Sequence, residues 1–199
     1  MIRVFAASLL ALLAAACSQE PETAVPDSAP SSSAGAAAVT PPAEPAPTTV
    51  PGRAFRFTSL EECRVVREEV EEMPYTETLC PGPGGWAVRI SDSDARQSMT
   101  LEGPNGAHPL PTSRISGGAF SSFGPTAEWR GDEQDRFTPD SLIVRYNVAE
   151  EPYPAPETSY LLAVKLGSEP CVVAKVAPGP GQNDSARTAA DGPGNCLAT

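Results

Sequence analysis

The stretch Ser159-Tyr-Leu-Leu-Ala-Val-Lys-Leu166, Gly167-Ser-Glu-Pro170, Cys171-Val-Val-Ala-Lys-Val176 decides the fold. Two runs with apolar side chains at alternate or near-alternate positions flank four residues of turn-forming composition, the signature of a β-hairpin. The same pattern recurs upstream in Leu142-Ile-Val-Arg-Tyr-Asn-Val148, Ala127-Glu-Trp-Arg130, Ser98-Met-Thr-Leu101, Trp86-Ala-Val-Arg-Ile90 and Cys63-Arg-Val-Val-Arg67. Gly103-Pro-Asn-Gly106 supplies a further turn. So many short strands separated by turn signals leave no room for crossover helices, which makes an antiparallel sheet the economical architecture.

Helix is scarce. Glu61 to Met73 is rich in glutamate, and Ser59 or Thr58 with Glu61 or Glu62 resembles a capping box, but Val65-Val66 is β-branched and Pro74 would break a helix there. That segment reads as a strand running into an acidic turn. Asn183 to Asp191 is the better helix, with Asn183 or Asp184 as its cap and Gly192-Pro193 as its terminator. The expected fold is therefore mainly β, an antiparallel sheet of about seven short strands with a short C-terminal helix.

Cysteine parity and charge constrain the rest. The chain holds five cysteines. Cys63, Cys80, Cys171 and Cys196 permit three pairings; joining Cys63 to Cys80 and Cys171 to Cys196 closes two short loops that each contain a turn signal, and this is the favoured arrangement of a disulfide-stapled α+β domain. Their spacing lacks the close pairs of a zinc site, His108 is the single histidine, and no motif calls for a metal or cofactor. Residues 54–199 carry 12 basic and 21 acidic side chains, a net charge of −9, which disfavours nucleic acid as a partner.

The remaining cysteine, Cys17, closes a different kind of segment. Arg3 precedes 13 apolar or small residues from Val4 to Ala16, a run too short to span a bilayer, which takes about 20 residues. Leu13-Ala-Ala-Ala-Cys17 resembles the lipobox of bacterial lipoprotein precursors, although Leu13 stands four residues before the cysteine and Ala14 takes the usual leucine position. The resemblance implies a signal peptide over 1–16, cleavage before Cys17 and acylation there; Ser18 rather than an aspartate after the cysteine implies the periplasmic face of the outer membrane. The other reading of the same residues is an ordinary secretory signal cut after Ala16, leaving a soluble periplasmic or secreted protein. Residues 18–53 contain eight Pro, eight Ala and no aromatic side chain among 36, too little apolar surface to offset the entropy of ordering. The organisation expected is signal peptide 1–16, lipid anchor and Pro/Ala-rich linker 17–53, and one β-rich domain over 54–199.

Within the domain, Cys80-Pro-Gly-Pro-Gly-Gly-Trp86, Ser91 to Ser98, Gly118-Ala-Phe-Ser-Ser-Phe-Gly124 and Ala127-Glu-Trp-Arg-Gly131 resemble an uncharacterised group of secreted proteobacterial proteins. That resemblance implies no activity and no catalytic residue.

Motifs for chemistry are weak. His108 lies among turn residues without a Gly-x-Ser-x-Gly elbow. Asp92-Ser-Asp94 and Asp132-Glu-Gln-Asp135 bring carboxylates together but do not continue as a calcium loop. Pro81 to Gly85 and Pro178 to Gly181 are not phosphate loops, because prolines remove the amides that would cradle an anion. Phe120, Phe123, Trp129 and Arg130 are of the types that anchor interfaces and form a candidate partner surface, but with 12 aromatic residues in the chain a domain of this size needs most of them inside, so a core role is favoured for Phe120, Phe123 and Trp129. The function expected is a non-catalytic binding or envelope-assembly module, tethered to the membrane through its N-terminal lipid and meeting an envelope protein or glycan. The alternatives are a cell-envelope hydrolase using acidic residues, or an inhibitor of a cell-wall enzyme.

Overall fold

The computed structural model describes residues 53–71, 73–152 and 156–197. Cys17, the signal segment and the linker up to residue 52 lie outside the described residues. The described residues are mainly β, as their alternation requires, but they form ten strands where the sequence pattern predicts about seven. They are β1 (Ala54–Ser59), β2 (Arg64–Glu69), β3 (Tyr75–Pro81), β4 (Ala87–Ser93), β5 (Arg96–Gly103), β6 (Gly106–Pro109), β7 (Ser121–Glu133), β8 (Phe137–Val148), β9 (Thr158–Lys165) and β10 (Cys171–Val176). The three additional strands are β1, β3 and β6. β3 carries the polar run Thr76-Glu77-Thr78 and ends on a proline, and β6 has four residues between turn formers, so neither shows a clean two-residue period.

Every ladder is antiparallel except one parallel contact, Arg96 with Ser121, between β5 and β7. That contact joins two antiparallel halves, β10-β9-β8-β7-β1 and β6-β5-β4-β3-β2, into a continuous sheet. The halves share one core. Val88, Ile90, Met99 and Leu101 from the second half cluster with Trp129, Leu142, Val144, Tyr146, Leu162 and Val164 from the first. The Tyr146 hydroxyl is satisfied inside this core by Ser121 Oγ at 2.9 Å and by the carbonyls of Gln97 and Thr112, both at 3.3 Å.

Alternation along β8 and β9 sends Ile143, Leu161 and Ala163 to the opposite face, where Ala186 and Ala190 of a helix cover them. After the single turn α1 (Thr112–Ile115), this helix, α2 (Gln182–Asp191), is the second α-helical element. Its two buried alanines let its backbone lie close to the sheet. It begins one residue before the expected Asn183; Gly181, at φ 74°, occupies the cap position and no side chain caps it. The expected stop at Gly192 is observed.

Both disulfides of the favoured pairing are present. Cys63–Cys80 ties the segment before β2 to the end of β3, and Cys171–Cys196 ties the start of β10 to the segment after α2. No helix among the described residues is long and apolar enough to cross a membrane.

Candidate functional site

β1 runs along the free side of β7, and the ladder fixes which of its backbone groups are spent. Ala54 pairs with Gly131 and Ser59 with Thr126, and the Leu60 amide continues the register by donating to the Pro125 carbonyl at 2.8 Å. In an antiparallel ladder alternate residues turn their N–H and C=O to the partner, so Ala54, Arg56, Thr58 and Leu60 face β7. Phe55, Phe57 and Ser59 turn theirs outward. Consistent with this, the Phe55 carbonyl accepts a hydrogen bond from Arg56 Nη1 at 2.8 Å.

The side chains of Phe55 and Phe57 stand on the helix-bearing face of this edge. They are 40% and 55% exposed, with rings edge to face at 5.4 Å. Behind Phe57 a pocket of about 190 Å³ opens between β1 and the first turn of α2. Ile143, Leu161 and Pro125 give it apolar surface, and Glu128, Arg145 and Asn183 supply polar groups. Arg145 is anchored by donating Nη1 to Ser159 Oγ at 2.9 Å.

Among the described residues the other three edges, β2, β6 and β10, are blunted. β2 carries Arg64, Arg67, Glu68 and Glu69 and a register shift; β6 has four residues and ends on Pro109; the Leu197 amide donates to the Val172 carbonyl on β10 at 2.8 Å, beside Cys171–Cys196. Charge, shortness and covering segments are the usual defences of an edge strand. β1 presents two exposed phenylalanines instead.

An ion network, buried around Arg130 and Asp191, joins Arg53 just before β1 to β7, β8 and α2. Arg130 donates to Asp191 through Nε at 2.8 Å and Nη2 at 2.6 Å, and to Glu128 through Nη1 at 2.7 Å. Arg187 donates from Nε and Nη2 to Glu128, each at 3.0 Å, and Arg53 reaches Asp191 at 3.3 Å, Asp132 at 3.2 Å and Asp140 at 2.6 Å. Hydrogen bonding to Asp140, the charges of Asp140 and Asp191 and a further hydrogen bond to Asp191 raise the Arg53 guanidinium above its ordinary pKa despite burial. Burial pushes the Asp191 carboxyl up, but the Arg130 hydrogen bond and the charges of Arg130 and Arg53 outweigh it and hold the group below the ordinary aspartate range.

The four aromatic and basic residues singled out in the sequence do not form one surface. Trp129 is fully buried, and Arg130, 1% exposed, points to the opposite face into the ion network. Phe123 is half-buried and stacked on Tyr146 at 4.8 Å. Phe120 alone is exposed, beneath the Arg96 guanidinium at 4.3 Å. The acidic clusters serve local structure: Asp92 accepts from Gln97 at 3.0 Å, Asp94 pairs with Arg96, and Asp132 pairs with Arg53. His108 sits in β6 with Nε2 buried and without a hydrogen-bond partner among the described residues. No group of three or more His, Cys, Asp or Glu among the described residues is placed to hold a metal ion.

Sequence reasoning missed Phe55 and Phe57, although Phe55-Arg56-Phe57-Thr58 alternates cleanly; its position against the Pro-rich run concealed the strand. No family model, curated protein or solved structure matches the chain.

Proposed function

We propose that this chain is a membrane-tethered, non-catalytic binding or assembly module of the bacterial periplasm, anchored by lipid at Cys17 and docking through the open edge of β1. The lipobox-like segment ending at Cys17 supports the anchor, and two acyl chains at about 0.8 kcal/mol per buried CH₂ hold a protein to a bilayer far better than one. The observation that carries the docking reading is the outward-turned backbone of Phe55, Phe57 and Ser59 with both phenylalanine rings exposed beside a pocket. An edge of this kind binds by adding a strand: main-chain hydrogen bonds supply affinity and flanking side chains supply selectivity. The tether joins the domain directly at β1, because Arg53 ends the Pro-rich run and Ala54 opens the strand.

Two measurements test the reading. Growth with labelled palmitate is expected to label the mature protein and to lose the label on Cys17→Ala. Chemical crosslinking of the full chain in intact cells is expected to give a specific adduct that Phe57→Glu abolishes. An adduct indifferent to Phe57→Glu removes β1 from the proposal, and an unlabelled mature protein removes the anchor.

A further inference from the structure

We propose that the pocket beside Phe57 is a binding site for a single carboxylate carried on a short, branched apolar body, with Arg145 as the group that receives the charge. The stem of Arg145 lies against the β7 backbone at Gly124, where an added Cβ would stand 2.8 Å from Arg145 Cβ and 3.3 Å from Cγ, so only glycine leaves room for the side chain. At the tip, Nη1 donates to Ser159 Oγ at 2.9 Å, and that hydroxyl donates in turn to Asn147 Oδ1 at 2.7 Å. The guanidinium is thus held at both ends.

Held in this way, it is left without a counter-charge. Among the described residues no carboxylate pairs with Arg145, and its Nε and Nη2 have no hydrogen-bond partner. Glu128, the acidic side chain in the pocket wall, is already spent: Arg130 donates to it at 2.7 Å and Arg187 at 3.0 Å. The Nε and Nη2 edge of a guanidinium presents two parallel N–H groups, which take both oxygens of a carboxylate. One unpaired guanidinium matches one negative charge. A phosphate dianion would bring a second, facing Glu128.

The rest of the pocket sets the body of the ligand. Ile143 and Leu161, 5% and 6% exposed, give it an apolar surface together with Pro125 and Phe57. An apolar cavity of about 150 Å³ holds benzene, so a volume of about 190 Å³ admits about seven non-hydrogen atoms. Isovalerate is of that size, whereas a sugar ring or a nucleotide exceeds it. The same chemistry has two sources, a free branched-chain acid and the C-terminal residue of a polypeptide ending on a branched apolar side chain. The site shares Phe57 with the docking edge but needs no added strand, so either reading can fail alone.

The test is a titration of the full chain, methyl-labelled at isoleucine, followed by NMR. Isovalerate is expected to shift the Ile143 methyl saturably, with a dissociation constant of about 1 mM for so small a ligand, while Ile90 and Ile115, packed in the other core, stay still. Isovaleramide keeps the body without the charge and is expected to bind at least about tenfold more weakly. Arg145→Gln is expected to weaken isovalerate by a similar factor and Arg145→Lys by less, with thermal unfolding unchanged. Acetyl-alanyl-valine with a free carboxylate is compared with its C-terminal amide in the same way; tighter binding of the peptide acid than of isovalerate assigns a chain end, and the reverse order assigns a free acid. Equal binding of acid and amide in the unaltered chain would overturn the proposal even if Arg145→Gln failed to fold. So would an Ile143 shift that Arg145→Gln leaves intact, or no saturable shift with either carboxylate.

Discussion

Arg130 in β7 and Asp191 in the last turn of α2 meet in a two-pronged ion pair, Nε to Oδ1 at 2.8 Å and Nη2 to Oδ2 at 2.6 Å, with both side chains nearly removed from water. The third donor of Arg130 goes to Glu128, which also receives Arg187. The helix is thereby fixed to the sheet by directed charge on one side and by Ala186 and Ala190 against Ile143, Leu161 and Ala163 on the other. The small residues set the distance and the charges set the orientation.

Replacing Arg130 with methionine keeps the packing volume but leaves Asp191 with only the longer Arg53 contact. Breaking one partner of a buried pair costs about 3–5 kcal/mol, because the stranded charge remains desolvated. Urea unfolding of Arg130→Met is expected to show a loss of that order. Adding Asp191→Asn to the same chain is expected to recover part of it. A loss below about 1 kcal/mol would place this pair in the class of exposed salt bridges.

The same pair sets an acid limit. Asp191 titrates below its ordinary value in the folded chain, so the folded state favours the carboxylate. Its contribution is complete above the unfolded pKa of about 3.9 and is lost as pH falls through the lower folded value. Unfolding free energy is therefore expected to hold nearly level from neutrality to about pH 4 and to drop below it. Asp140 adds in the same direction, with burial opposed by the Arg53 and Ser141 hydrogen bonds, but it is half exposed and contributes less. Asp191→Asn is expected to flatten the acid limb; an identical limb in the variant would assign acid sensitivity to other carboxylates.

Local pattern and long-range placement differ in what a sequence reveals. The period of two in Leu142 to Val148 and in Ser159 to Leu166 identifies strands because both faces of those strands are used, one for the shared core and one for α2. The two disulfides follow from short loops around turns. The partner surface does not follow, because Trp129 and Arg130 are neighbours whose side chains point to opposite faces, and only the sheet's position between a second half and a helix shows that both faces are covered. The ion network is equally concealed: Glu128 and Arg130 lie about sixty residues from Arg187 and Asp191, and an alternating Glu-Trp-Arg reads as one wet face until a helix is laid upon it.

The two disulfides are expected to differ in reactivity. Cys80 is fully buried, whereas Cys196 is exposed and its segment is held by the Leu197 amide on Val172. Access governs attack by a thiolate. Under a dithiol reductant followed by alkylation, Cys171 and Cys196 are expected to be modified before Cys63 and Cys80, as read by peptide mass. Cys171→Ala with Cys196→Ala is expected to cost about 3 kcal/mol by releasing a short loop in the unfolded chain, with raised hydrogen exchange confined to β10 and the C-terminal segment. Modification of Cys80 first would contradict the burial described for it.

Trp129 links the core to the docking edge, and its surroundings make that link measurable. Its indole Nε1 donates to Thr58 Oγ1 of β1 at 2.8 Å, and Gly82 lies so close to the ring that an added Cβ would stand 2.4 Å from Cζ2. Gly82→Ala must therefore displace the ring, an overpacking cost of about 1–3 kcal/mol, and the displacement draws the indole from Thr58. Thr58→Val removes the acceptor without crowding and leaves the indole N–H unpaired, at about 1–3 kcal/mol. Amide exchange by NMR reads the consequence at β1. In the unaltered monomer Arg56, Thr58 and Leu60 are expected to be protected by β7 while Phe55, Phe57 and Ser59 exchange quickly. Both substitutions are expected to accelerate the first group and leave the second unchanged. Equal exchange at all six amides in the unaltered monomer would show that β1 is not held in this ladder, and the open edge would lose its basis.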